Sequence, residues 1–139
     1  MADEAPPGSP PRAPASSRRR TAARLACALV LAIASVQHAV LAFGGAPGAG
    51  RHAVFVGINA AVALLVARWP RAALAPVLVL TLQQLVSHGA DLVRSIRGPG
   101  PLDVASLGVV VFFPALTLLL AAERRRGTPA RPRRGRAAP

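Results

Sequence analysis

The sequence predicts an all-α integral membrane protein: an antiparallel, up-down bundle of four transmembrane helices with disordered tails. Three observations predict it. The chain has 139 residues, a formal charge of +12 and a 53% hydrophobic content, and the charge and the apolar residues occupy different stretches. Four apolar runs each approach the roughly 20 helical residues that cross a bilayer core of about 30 Å. The connections between them are short and rich in Gly and Pro, which stop helices and force consecutive ones to lie side by side in opposite directions.

The first helix is expected over residues 21–43, where Arg24, Ser35, Gln37 and His38 are the main polar interruptions. A basic stretch precedes it, so a signal peptide is the competing reading. The apolar stretch is long for that, and three more spans follow, which favours a retained anchor. The second helix, over 52–67, carries one amide, Asn59, and is short. It reaches across only if Arg51 and Arg68 extend their heads to the interfaces. The third, over 72–93, is apolar in its first half and polar in its second. Pro76 is expected in its first turn, where a missing N–H does no harm. The fourth, over 102–122, begins beside Asp103 and contains Pro114, which removes a donor mid-helix and predicts a kink. Gly57 and Ala61 form a small-xxx-small step that would let helix backbones approach.

Competing fold classes fail on pattern. A soluble bundle needs helices with a polar face, and "VFVGINAAVALLVA" and "VASLGVVVFFPALTLLLAA" have none. A membrane barrel needs strands of alternating polarity, and these runs do not alternate. A single cysteine, Cys27, excludes a disulfide scaffold, and its position among apolar residues fits a small buried thiol. The length leaves no room for a large or multidomain enzyme.

Residues 1–20 and 123–139 are Pro-, Ala- and Arg-rich and cannot build a core, so both are expected to be disordered tails. Their arginines abut the spans. That favours control of topology and attraction to anionic lipid headgroups over nucleic-acid binding, for which no aromatic residue or known module is present. Fourteen arginines fall on the side of the termini and the second connection, and three on the other. The basic side should be cytoplasmic. The expected location is the cell (cytoplasmic) membrane, with both termini inside.

The polar residues cluster in depth. Thr81, Gln84, His88, Asp91 and Ser95 recur three or four apart and share one helix face. At 1.5 Å per residue, His38 and His88 lie at about the same depth, some 7 to 8 Å below the outer boundary. Asn59 lies about 10 Å below it, on the same face as His52. Ionisable groups inside a membrane face the bundle interior. Gln37, His38, His52, Asn59, Gln84, His88, Asp91 and Asp103 are therefore the candidate residues of a polar pocket open to the outside, with His52 and Asp103 at its rim. Asp91 is placed to pair with His88 or with Arg94.

Three readings of this cluster compete. The amides and imidazoles act as interhelical hydrogen-bond glue; they bind a ligand, ion or proton; or His38 and His88 ligate a haem from two helices. A metal site proper would bring more Cys, His or carboxylate ligands, and no catalytic pair, metal site or cofactor motif is identified.

The Gly57-to-Asn59 step in helix two and His88 near the end of helix three, within "LQQLVSHGADL", resemble a group of small actinobacterial four-helix membrane proteins similar in outline to the DoxX-like superfamily. The resemblance spans roughly residues 25–123. It implies an accessory membrane role, in some relatives tied to quinone-linked redox systems, and assigns no catalytic residue. The functional expectation is a non-enzymatic, multi-pass membrane component that works through self-association as a homo-oligomer or through a membrane-protein partner. A small proton- or ion-coupled transporter subunit and a haem- or quinone-linked redox accessory protein are the alternatives.

Overall fold

The computed structural model describes residues 15–126. Among them the chain forms four helices: α1 (Ala15–Phe43), α2 (Ala49–Arg68), α3 (Pro70–Arg97) and α4 (Val104–Arg126). All four are long and apolar enough to cross a membrane. The expected tails yield residues 15–20 to α1 and 123–126 to α4. The reason is that Arg, Ala and Glu are good helix formers and continue a helix already nucleated by its apolar run. The rest of both expected tails lies outside the described residues.

The connections are tighter than expected. α2 and α3 are separated by Trp69 alone, whose N–H bonds the Leu65 carbonyl at 2.7 Å and whose carbonyl accepts from Ala72 and Ala73. Pro70 then opens α3, where its missing N–H is not needed. This early start puts Pro76 well inside the helix rather than in its first turn, so the Ala72 carbonyl loses its intrahelical partner. The α1–α2 connection turns through Gly45 and Gly48, both at positive φ, a region that a Cβ disfavours.

α1 packs closely along α2, and α3 along α4, giving two hairpins that meet over a smaller area. Contacts step forwards along α3 (Thr81, His88, Ser95) as they step backwards along α4 (Thr117, Ser106, Asp103). The core joins all four helices near the α2–α3 turn, where Val66, Ala73, Val77, Leu116 and Leu120 are completely buried. At that end Arg24 of α1 meets Glu123 of α4 at 3.5 Å, with both side chains largely covered. Elsewhere α1 and α4 scarcely touch.

The outer surface is apolar. Leu29, Val36, Val40, Phe43, Val79, Val86 and Leu118 are all more than half exposed, a surface that water would penalise and hydrocarbon would not. Gly57 also faces outwards, and a Cβ added there would meet nothing within 4 Å. Among the described residues the small-xxx-small step therefore makes no close helix contact.

Candidate functional site

A half-enclosed cleft of about 530 Å³ lies between the hairpins. α1 and α4 supply its walls, including Val30, Ala34, Gly108 and Phe112, while Asn59 of α2 and Gln84 and His88 of α3 complete the lining. Asn59 and Gln84 are 3% and 6% exposed, so they form its floor. Gln37, His38, Asn59, Gln84 and His88 of the expected pocket all line this cleft. His52, Asp91 and Asp103 do not, and the three are placed differently from one another.

His52 supports a lining residue directly. Its Nδ1 lies 2.9 Å from His38 Nδ1. Two imidazole nitrogens at that distance share one hydrogen: one ring donates and the other accepts. The His38 ring is also stacked on Phe55, with centroids 5.3 Å apart. His38 thus turns to α2. At matched depth with His88, it nevertheless takes its hydrogen bond from a different helix.

Asp103 supports His88 through an intermediary. It stands just before α4, where a carboxylate caps the helix. Its Oδ1 accepts the Ser106 backbone N–H at 2.9 Å, and its Oδ2 accepts the Ser106 hydroxyl at 2.6 Å. These two donors hold the Asp103 carboxyl below the ordinary carboxylate range, the hydroxyl first and the backbone N–H second. Ser106 Oγ has one hydrogen, and an ionised carboxylate can only accept. At 3.0 Å from Ser106 Oγ, His88 Nδ1 must therefore carry a hydrogen and donate it. In the neutral ring this leaves Nε2 as the remaining acceptor. Ser95 completes the cap, its Oγ accepting the Asp103 N–H at 3.2 Å.

Asp91 takes the other partner the sequence offered. It pairs with Arg94, three residues on, at the exposed edge of α3, and it is not part of the cleft. An (i, i+3) arginine is available without any tertiary contact, and it draws the carboxylate away from His88.

Gln84 is the outlier among the buried amides. Its Oε1 is buried and accepts no hydrogen bond. An unmade bond at such an atom costs about 1–3 kcal/mol. Thr81, one turn earlier, is fully used. It gives its hydrogen to the Val77 carbonyl at 2.7 Å and accepts from Thr117 at 2.8 Å. Ser35 likewise donates to the Val56 carbonyl at 2.8 Å, tying α1 to α2.

Sequence reasoning passed over Gly108 and the Arg24–Glu123 pair. A Cβ at Gly108 would meet nothing within 4 Å, although an interior helical Gly costs about 1 kcal/mol against Ala. Its signal was the single Gly inside α4. The signal for the pair was one arginine within the first apolar run and one glutamate at the end of the last.

For the haem alternative, His38 and His88 each have Nδ1 engaged, by His52 and by Ser106, so an iron would have to take both Nε2 atoms. Among the described residues no group of three His, Cys, Asp or Glu side chains converges as a metal site would require. No protein-family model matches the chain, and no curated protein or solved structure is significantly similar to it.

Proposed function

We propose that the protein is a multi-pass, non-enzymatic component of the cell membrane that holds a small molecule in the cleft between its hairpins. In this reading the four helices run up and down as an antiparallel bundle. The termini are cytoplasmic, because fourteen of seventeen arginines then lie inside. The α1–α2 and α3–α4 connections lie outside, and the cleft occupies the outer half of the bilayer. The arginine clusters at the inner ends meet anionic headgroups. A DoxX-like kinship fits an accessory membrane role of this kind and adds no residue to the site.

One observation carries the ligand reading: a cleft of about 530 Å³, within the roughly 300–1,000 Å³ usual for small-molecule sites, over a floor that includes a buried acceptor with no partner. Glue alone would close such a gap and satisfy the amide. The test uses the full chain in phosphatidylcholine nanodiscs and anthracene as an apolar fluorescent probe. Saturable binding above that of empty nanodiscs is expected. Gly108→Leu, which builds a side chain into open space, should weaken it at least tenfold. Absence of saturable binding would refute the reading.

A second reading, proton-coupled transport, draws on the hydrogen shared by His38 and His52 and on the Asp103–Ser106–His88 chain. Proton flux into liposomes that disappears in His88→Ala would favour it.

A further inference from the structure

We propose that the cleft is a lateral binding site for an uncharged lipid-phase amphiphile whose head donates a hydrogen bond to His88 Nε2. This rests on the ligand reading above and specifies the chemistry of its occupant.

The direction of access follows from the helices. α1 and α4 form the two walls, yet they scarcely touch except near the Arg24–Glu123 pair. The cleft is therefore the seam between them. The wall residues Val30 and Val104 are 47% and 71% exposed. With four spans in a bilayer, that seam faces acyl chains rather than water.

The size selects the class of occupant. At about 530 Å³ the cleft lies in the range of small-molecule sites. A single ring system or the end of one apolar chain fits it. No Arg, Asp or Glu lines the cleft, which disfavours an anionic or cationic head in a low-dielectric site.

The polar floor selects the head. Gln84 and His88 are one turn apart on one face of α3. Gln84 is buried and its Oε1 is sealed from the open space, so the accessible acceptor is on His88. The Asp103–Ser106 cap fixes the hydrogen of His88 on Nδ1, so the neutral ring offers Nε2 as an acceptor. That acceptor calls for a donor: an aromatic amine, a phenol or an alcohol on an apolar body. Asp103 and Ser106 act here as positioning residues, since they set which nitrogen of His88 is free.

The experiment compares anthracene with 1-aminoanthracene, which has the same rings and adds an N–H₂ group, on the full chain in phosphatidylcholine nanodiscs. The amine should bind at least tenfold more tightly than the hydrocarbon. In His88→Leu that preference should fall below threefold. Gly108→Leu should weaken both probes. Bound 1-aminoanthracene should be quenched by doxyl-labelled lipid and not by aqueous iodide. Equal affinity of the two probes in the unsubstituted protein would overturn donor recognition while leaving the ligand reading intact. Failure of both probes to bind would overturn both. Quenching by iodide alone would overturn lateral entry. The comparison in the unsubstituted protein decides the matter even if His88→Leu does not fold.

Discussion

At the end of the bundle that carries the α2–α3 turn, Val66, Ala73, Val77, Leu116 and Leu120 expose no surface, and the Arg24–Glu123 pair joins the first helix to the last. At the opposite end, helices of comparable length leave a cleft of about 530 Å³. The difference lies in the kind of residue each end uses. Apolar side chains pack in any direction that fills space. Imidazoles, hydroxyls and carboxylates must meet particular partners at particular angles. His38 turns to His52 and His88 to Ser106, so each makes its hydrogen bond within its own hairpin and neither bond joins the two hairpins across the cleft they line.

This contrast can be broken at several points. The largest effect is expected at the packed end. Leu116→Ala should lower stability by about 2–4 kcal/mol through the cavity it leaves, whereas Val104→Ala at the cleft wall should change it by less than about 0.5 kcal/mol. Denaturant titration in detergent micelles measures both, and equal costs would erase the distinction between the ends. Next in size is the ion pair. Glu123→Gln should cost about 1–2 kcal/mol, because it leaves a mostly covered guanidinium without its counter-charge; a double-mutant cycle with Arg24→Gln isolates the pairwise part.

His88→Leu should cost about 0.6 kcal/mol, the usual worth of one interhelical hydrogen bond in a membrane, and His38→Leu a similar amount. Both variants should still insert. Loss of the folded protein in both would make the histidines structural glue rather than a site. The smallest effect is expected for Asp103→Asn, which keeps a capping oxygen and removes the charge. A carboxyl whose folded pKa is depressed stabilises the protein above its unfolded value near roughly pH 4, and that contribution disappears as pH falls through the folded value. Thermal stability of the unsubstituted protein should therefore decline more steeply on acidification below about pH 4 than that of Asp103→Asn; parallel profiles would remove the role assigned to the cap.

Much of this arrangement was legible in the residues. Hydropathy and the Gly/Pro connections mark four helices, and the spacing of Thr81, Gln84, His88 and Ser95 marks the face of α3 that meets α4 or the cleft. Depth along each helix, computed from rise alone, collects Gln37, His38, Asn59, Gln84 and His88 in one place, where the cleft is found. Rotation about the helix axes was not legible, since rise says nothing of it. That is why His38 meets His52, and why His88 reaches Asp103 through Ser106. Asp91 had the correct spacing and still left the group, because Arg94 is a local partner that needs no fold. The boundaries moved for a related reason: Ala15–Arg20 and Glu123–Arg126 continue helices whose nucleation was already complete, and charge composition alone reads them as tail. Gly108 stood out as the single Gly of α4, but the space a missing side chain leaves shows only when its surroundings are known.

Membrane crossing is the claim on which the cleft, its lateral seam and its lipid-phase occupant all depend. Single cysteines in a Cys27→Ser background, labelled on intact cells with an impermeant maleimide, test it most directly. Gly100 is the better outer position, because it is exposed and its Cβ meets nothing, whereas Gly48 sits at φ +79, where a side chain is strained. Gly100→Cys should be labelled and Thr128→Cys should react only after the cells are permeabilised. Labelling of Thr128→Cys alone would contradict the orientation, and equal labelling of both before permeabilisation would contradict a crossing by α4.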